Sequence, residues 1–220
     1  EAADILFHLI VALNARDVPL ADVLAKVPEG VPVYTAPQAV MDQVAGFPIH
    51  RGVLACARKG APMPVEQLLG ARTLLVLNGI SNHDNVGAAF RNAAAFGAGG
   101  VLLDEQSCDP LYRKSIRVSA GAALWLPYLR AGSGEEHLSW LEKAGFDVWA
   151  MTPRADAEPL HQLKPAVKTA LLLGAEGPGL PDTLISRARP VRIEMAGTFD
   201  SINVATAGAI ALSHLHASGA

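Results

Sequence analysis

Leu74-Leu-Val-Leu77 is apolar from end to end, with no alternation of polar and apolar positions. A strand with one wet face alternates; a strand covered by helices on both faces does not. Ala170-Leu-Leu-Leu173 reads the same way. Outward from these two runs, further strands are expected at Gly100–Asp104, Trp125–Leu129, Asp147–Thr152 and Val191–Met195, with the first two extending over Thr73–Leu77 and Thr169–Leu173. Helical spacing of apolar residues fills the gaps at Val86–Gly97, Tyr112–Leu124, Glu135–Gly145, Leu180–Ala188 and Ser201–Ser218. Strands alternating with helices specify an α/β fold with a mainly parallel sheet and helices on both faces. Ligands in such sheets sit at the carboxyl ends of the strands, where Asn78–Asn85, Gly174–Leu180 and Gly197–Ser201 fall.

Before residue 60 the pattern is different. Leu20–Val27 and Gln38–Ala45 read as helices, Val31–Thr35 and Gly52–Ala57 as strands, separated by glycines and prolines. Lys59-Gly-Ala-Pro-Met-Pro64 carries two prolines, which forbid a continuous helix or central strand. The expected organisation is therefore a small α/β domain over 1–60, a linker over 61–71 and a large domain over 72–220. Because the chain opens on Glu1 rather than Met, truncation of the first domain is one expectation.

Composition narrows the function classes. Half of the 220 residues are apolar, enough for a well-buried core. The longest apolar run, Ile5–Leu13, is interrupted by His8 and is too short to span a bilayer. It follows Glu1 and Asp4 rather than a basic segment, so it does not read as a signal peptide, and the cytoplasm is the expected compartment. Cys56 and Cys108 form no metal or disulfide pattern and are expected to be reduced. The net charge of −3 argues against indiscriminate nucleic-acid binding, so any RNA contact must be a local basic patch. The seven histidines show no metal-ligand spacing.

Three polar clusters stand at the strand ends. Gly174-Ala-Glu-Gly-Pro-Gly-Leu180 permits close backbone approach to a ligand. It lacks the Lys and Ser/Thr of a phosphate loop, and Glu176 within it suits a cationic or hydrogen-donating ligand; a plain strand-to-helix turn is the alternative. Asp200 or Ser201 is a candidate helix cap, and Asn203 offers a donor and an acceptor at a helix terminus whose N–H groups face a ligand. Asn85 is a plausible cap of the helix after the first strand, and Arg91 lies among alanines and phenylalanines. Its guanidinium either faces solvent or meets a phosphate or carboxylate. Arg113, Lys114 and Arg117 form a basic helical face with Tyr112, Trp125 and Tyr128 nearby, a mixture suited to RNA binding or to a solvated helix beside core aromatics.

Together, Asn85-Val-Gly-Ala-Ala-Phe-Arg91, the glycine loop, and Ile193-Glu-Met-Ala-Gly-Thr-Phe-Asp-Ser-Ile-Asn-Val204 resemble the three motifs of the SpoU/TrmH branch of SPOUT methyltransferases. The resemblance covers roughly residues 72–218. Asp109–Ala123 resembles the segment between the first two motifs, and His50–Arg58 the end of a small substrate-binding domain. Ile202 departs from the usual leucine, and the stretch after Asn203 is alanine-rich. The resemblance implies a C-terminal trefoil knot over about Leu171–Leu215, against the usual rule for folds. It implies S-adenosylmethionine as cofactor, its adenine and ribose surrounded, largely through backbone groups, by Leu172, Gly174, Ile193, Met195 and Ile202. Asn85, Arg91, Glu176, Ser201 and Asn203 would form the reaction centre, Arg113, Lys114 and Arg117 the RNA-binding face, and the enzyme would be a homodimer without metal. The implied reaction is methyl transfer to a ribose 2′-hydroxyl of RNA, ribosomal slightly favoured over transfer RNA. Methylation of a base and RNA binding without catalysis are the alternatives.

Overall fold

The computed structural model describes residues 6–9, 30–34, 36–46, 48, 55–197 and 201–219. The chain divides into two compact units, Glu1–Arg58 and Lys59–Ala220. In the first, β1 (Leu6–Leu9) pairs antiparallel with β2 (Ala55–Arg58) in the register Leu6 to Arg58 and Leu9 to Ala55. Helix α1 (Gln38–Ala45) lies where its apolar spacing predicts and ends at Gly46 in the left-handed region, φ 75°. The helix expected at Leu20–Val27 lies outside the described residues. Val31–Tyr34 are not a strand: Val31, Val33 and Tyr34 are each at least half exposed, so their β-forming side chains have no sheet to pack on.

The second unit begins irregularly over 59–64 and then turns into α2 (Val65–Leu68), within the stretch expected to be a linker. Pro64 precedes its first residue, a position that needs no N–H donor. Leu68 is 1 % exposed and belongs to the core, so the prolines here start a helix instead of keeping the chain extended.

Seven parallel strands form the main sheet in the order β5-β4-β3-β8-β6-β9-β7. They are β3 (Thr73–Asn78), β4 (Gly100–Leu103), β5 (Tyr128–Arg130), β6 (Asp147–Met151), β7 (Glu158–Pro159), β8 (Thr169–Gly174) and β9 (Arg189–Arg192). The two apolar runs that announce the fold are neighbours, with Val76 opposite Leu172. Alternate residues of each strand feed two apolar layers. Leu75, Leu77, Leu171 and Leu173 pack with α3 (His83–Ala95) and α7 (Val204–Ala217). Leu74, Val76 and Leu172 pack with α2, α5 (Gly134–Lys143) and α6 (Asp182–Ile185).

Several boundaries differ from the sequence reading for local reasons. The helix expected over Tyr112–Leu124 is α4 (Arg113–Val118) followed by a 3-10 turn at Ala122–Leu124. Ala120 (φ 52°) and Gly121 (φ 86°) occupy the left-handed region between them. Buried Ser119 mends the break, its hydroxyl donating to the Ile116 carbonyl at 2.9 Å and accepting from Ala123 N at 3.2 Å. The next strand is consequently displaced to Tyr128–Arg130. Helix α6 is confined to Asp182–Ile185, and β9 starts at Arg189 rather than Val191. Pro190 is tolerated in it because β7 pairs only with Val191 and Arg192, leaving Pro190 paired on one side. Two-residue β7 is too short to leave a periodic signal.

Candidate active site

Asn203 brings the three separate stretches together. It caps α7, its Oδ1 accepting from Ala205 N at 2.9 Å and Thr206 N at 3.2 Å. The cap fixes the amide's orientation, so Nδ2 must point away from the helix and find acceptors. It donates to Asn85 Oδ1 at 2.9 Å and to Glu176 Oε1 at 3.0 Å. Both amide protons and the carbonyl oxygen are thereby used.

That arrangement dictates the state of Asn85. With Oδ1 taken by Asn203, its Nδ2 is turned the other way, buried and without a hydrogen-bond partner. Asn85 is only 6 % exposed, and a buried donor without an acceptor costs about 1–3 kcal/mol. Such a group suits an oxygen supplied from outside the chain. Asn85 is not the helix cap that its sequence position suggests. Asn82 holds that post, its side chain accepting from Asp84 N at 2.9 Å, and Asn85 stands inside the first turn. Likewise the cap of α7 is Asn203 rather than Ser201, and Asp200 lies outside the described residues. Ser201 is exposed two residues ahead of the cap.

The glycine loop connects β8 to α6. Gly177 and Gly179 adopt φ of 88° and 72°, and Ala175 O accepts from Gly179 N at 3.0 Å, closing the turn. Gly174 has a different reason to be glycine: a Cβ there would stand 2.5 Å from Leu180 N and 2.6 Å from Gly179 C. The loop folds tightly over the strand end and leaves Glu176 at the surface, held by Asn203.

Of the residues expected around a cofactor, Gly174 closes β8 and is half-buried, while Ile193 and Met195 follow β9 and are half-buried too. Ile202 precedes the α7 cap and is 38 % exposed. These apolar side chains and bare backbone fit a flat aromatic group such as adenine. Leu172 does not reach this surface. It is fully buried in the layer beneath α5 and flanked by Val76 and Ala150, because it sits two residues back from the strand end.

Arg91 is exposed on α3 and makes no ion pair among the described residues. Of the basic helical face, Arg113 and Arg117 are exposed, whereas Lys114 pairs with Asp84 at 2.7 Å and ties α4 to the start of α3. The aromatics divide. Tyr112 is 42 % exposed beside His83, with ring centroids 4.2 Å apart, and Trp125 is 65 % exposed ahead of β5, at the amino end of the sheet. Tyr128 packs edge-on against Phe90 at 5.6 Å, and its burial pushes the hydroxyl pKa up to about 12.

One structural carboxylate escaped the sequence reading. Asp104, 3 % exposed, accepts from Asn78 Nδ2 at 3.0 Å, Gly79 N at 3.0 Å, Ser107 N at 2.9 Å and Ser107 Oγ at 2.6 Å. Ser107 Oγ in turn accepts from Ile80 N at 3.0 Å. This knot of bonds holds the loop that delivers Asn82 and Asn85. Its only trace in the sequence is an acid, followed by a second at Glu105, closing an apolar strand. Among the described residues no group of three or more His, Cys, Asp or Glu is placed to hold a metal ion. No helix among them is long and apolar enough to cross a membrane.

Comparison with known proteins agrees with this geometry. Residues 72–213 match the model of the SpoU rRNA Methylase family. An uncharacterized tRNA/rRNA methyltransferase of Mycobacterium bovis is 46 % identical over 212 residues, which is 94 % of this chain and 73 % of that protein. The 23S rRNA (guanosine-2′-O-)-methyltransferase RlmB of Ralstonia nicotianae is 32 % identical over 213 residues, 90 % of this chain and 82 % of its own. Among solved structures, an AdoMet-bound rRNA methyltransferase from Sinorhizobium meliloti superposes with a TM-score of 0.74 at 26 % identity, covering 82 % of this chain and 70 % of that one.

Proposed function

Because the chain belongs to the SpoU rRNA Methylase family, we propose that it transfers a methyl group from S-adenosylmethionine to a ribose 2′-hydroxyl of structured RNA, ribosomal RNA in the first instance. The observation that carries this reading is the orphaned Nδ2 of Asn85, a buried donor awaiting an oxygen where three loops meet. The names of the relatives support the chemistry: RlmB of Ralstonia nicotianae is a guanosine-2′-O-methyltransferase of 23S rRNA.

Gly174, Ile193, Met195 and Ile202 would hold the cofactor, with Leu172 as the buried footing of the strand that presents Gly174. When bound, the cofactor supplies an electrophilic methyl on a sulfonium. A ribose hydroxyl is a weak nucleophile, so the chain must hold its oxygen in line with that methyl and dispose of its proton. Asn85 Nδ2 donates to an oxygen of the ribose or its phosphate. Arg91 stabilises the developing alkoxide or grips the adjacent phosphate as a donor; a guanidinium offers no acceptor and does not serve as the base. The proton leaves through that phosphate or water. Ser201 orients the ribose beside the α7 terminus, and Glu176 with Asn203 keeps the glycine loop in register with Asn85.

Arg113 and Arg117 supply the local positive charge that an acidic protein needs to hold RNA, and Lys114 orders the same helix. The active form is a homodimer working in the cytoplasm without metal, its C-terminal segment threaded as a trefoil knot. The first unit, up to Arg58, serves as the substrate-binding domain, and the unit from Lys59 onward, whose core already includes Leu68, as the catalytic domain.

The test is transfer of a labelled methyl from S-adenosylmethionine to unmodified total RNA, followed by digestion to nucleosides. Label on a 2′-O-methyl nucleoside is the expected result. Label on a base sinks the ribose assignment, and absence of label with intact cofactor binding sinks the catalytic one.

A further inference from the structure

Tyr112 and His83 form an aromatic ledge beside the reaction centre that the proposed chemistry does not use. Their ring centroids are 4.2 Å apart with planes inclined by 44°. Tyr112 is 42 % exposed and His83 half-buried, so the pair offers a ring face to solvent with a second ring behind it. His83 is the first residue of α3 and Asn85 the third, about 3 Å further along the axis and about 200° around it, so the ledge and the Asn85 amide flank the same helix terminus on different sides.

The ledge is rigid. Ser115 Oγ donates to the His83 carbonyl at 3.1 Å, Lys114 pairs with Asp84 at 2.7 Å, and Asp109 Oδ1 accepts from Leu111 N at 2.8 Å, fixing the turn into Tyr112. Two of these ties join the first turn of α3 to α4, and the third shapes the turn that leads into Tyr112. An aromatic held this firmly while two-fifths exposed loses little freedom when a flat ligand settles on it.

We infer that the Tyr112–His83 ledge stacks the nucleobase of the RNA strand engaged at Asn85, a deduction that rests on the RNA-directed reading of the site. The strand held at Asn85 runs on past the α3 terminus, which brings one of its bases to the ledge on the other side of that terminus. Aromatic platforms flanked by basic side chains hold unpaired bases in this way, and Arg113 follows Tyr112 directly. Stacking accepts any base, because each has a π-face, so the ledge contributes affinity and orientation while base identity is read elsewhere.

The experiment uses the whole chain with two labelled single-stranded probes on the order of ten nucleotides long, an oligoadenylate and an abasic ribose–phosphate chain of the same length. Fluorescence anisotropy gives the two dissociation constants for the native protein, Tyr112→Ala and Tyr112→Phe. The expected result is that Tyr112→Ala weakens oligoadenylate binding by about tenfold and leaves the abasic probe unchanged, while Tyr112→Phe keeps the difference. Equal weakening on both probes, with or without a loss of S-adenosylmethionine binding, overturns the inference and makes Tyr112 a backbone contact or a folding residue. No weakening on either probe overturns it as well. Neither readout depends on methyl transfer, so a failure here is distinguishable from failure of the labelled-methyl test with native protein.

Discussion

Asn203 meets a helix terminus with its oxygen and two other motifs with its nitrogen, and each half is open to test. Asn203→Ala removes the α7 cap, and thermal or urea unfolding is expected to register a loss of about 1 kcal/mol. It also releases Asn85 Oδ1 and Glu176, so cofactor affinity is expected to fall beyond what that stability loss explains. Unchanged affinity in calorimetry would separate the site from the cap. Arg91→Ala is the complementary variant. It leaves every hydrogen bond described around Asn203 in place, so turnover is expected to collapse while the dissociation constant for S-adenosylmethionine barely moves. Weak cofactor binding with normal turnover would contradict the role given to it. At this scale the sequence shows which residues gather but not how they share protons. Asn85 reads as a helix cap and Asn203 as a donor and acceptor behind the candidate cap Ser201, and only the observed amide orientations reveal that Asn203 is the satisfied cap and Asn85 the unsatisfied donor.

Between elements, backbone proximity decides. Gly87 lies where α3 crosses α4, and a Cβ there would come within 2.7 Å of Ser115 O and 2.8 Å of Val118 Cβ. Gly87→Ala is therefore expected to force the helices apart at a cost of about 1–3 kcal/mol, with the His83–Tyr112 pair disturbed as a second effect. Urea unfolding measures the first and oligoadenylate binding the second; a variant as stable as the native protein would contradict the crossing. The glycine in the first motif thus has a packing reason that spacing alone does not disclose. The central strands were legible because burial on both faces writes itself into composition. Less legible were elements governed by one residue's conformation or one tertiary contact: the α4 break at Ala120, the short β7, and α2, whose Leu68 is recruited by a core built from distant residues.

The stability of the whole chain carries a pH signature from one ring. His137 on α5 is fully buried, its Nε2 bonded to the Ala131 carbonyl at 2.8 Å and its Nδ1 without a partner. Burial lowers its pKa from the ordinary 6.5, outweighing the opposing pull of the Ala131 carbonyl and of Asp104 and Glu136. The folded state keeps the ring neutral while the unfolded chain takes up a proton, so this contribution is complete above pH 6.5 and is lost as pH falls towards the lowered value. Urea unfolding followed from pH 7.5 to 5 is expected to show a decline that His137→Leu flattens; an identical decline in the variant would assign it to other groups.

The position of β8 has a consequence for synthesis. It is made after β6, yet it lies between β6 and β3 and is the partner of both. Until Thr169–Gly174 leaves the ribosome, the growing chain holds the three strands β5-β4-β3 with a raw, apolar, unpaired edge at β3, while β6 and β7 have no strand partner yet. A nascent chain stalled before residue 169 is thus a sticky intermediate that invites chaperones or aggregation, and two late strands, β8 between β3 and β6 and then β9 between β6 and β7, turn it into a finished sheet.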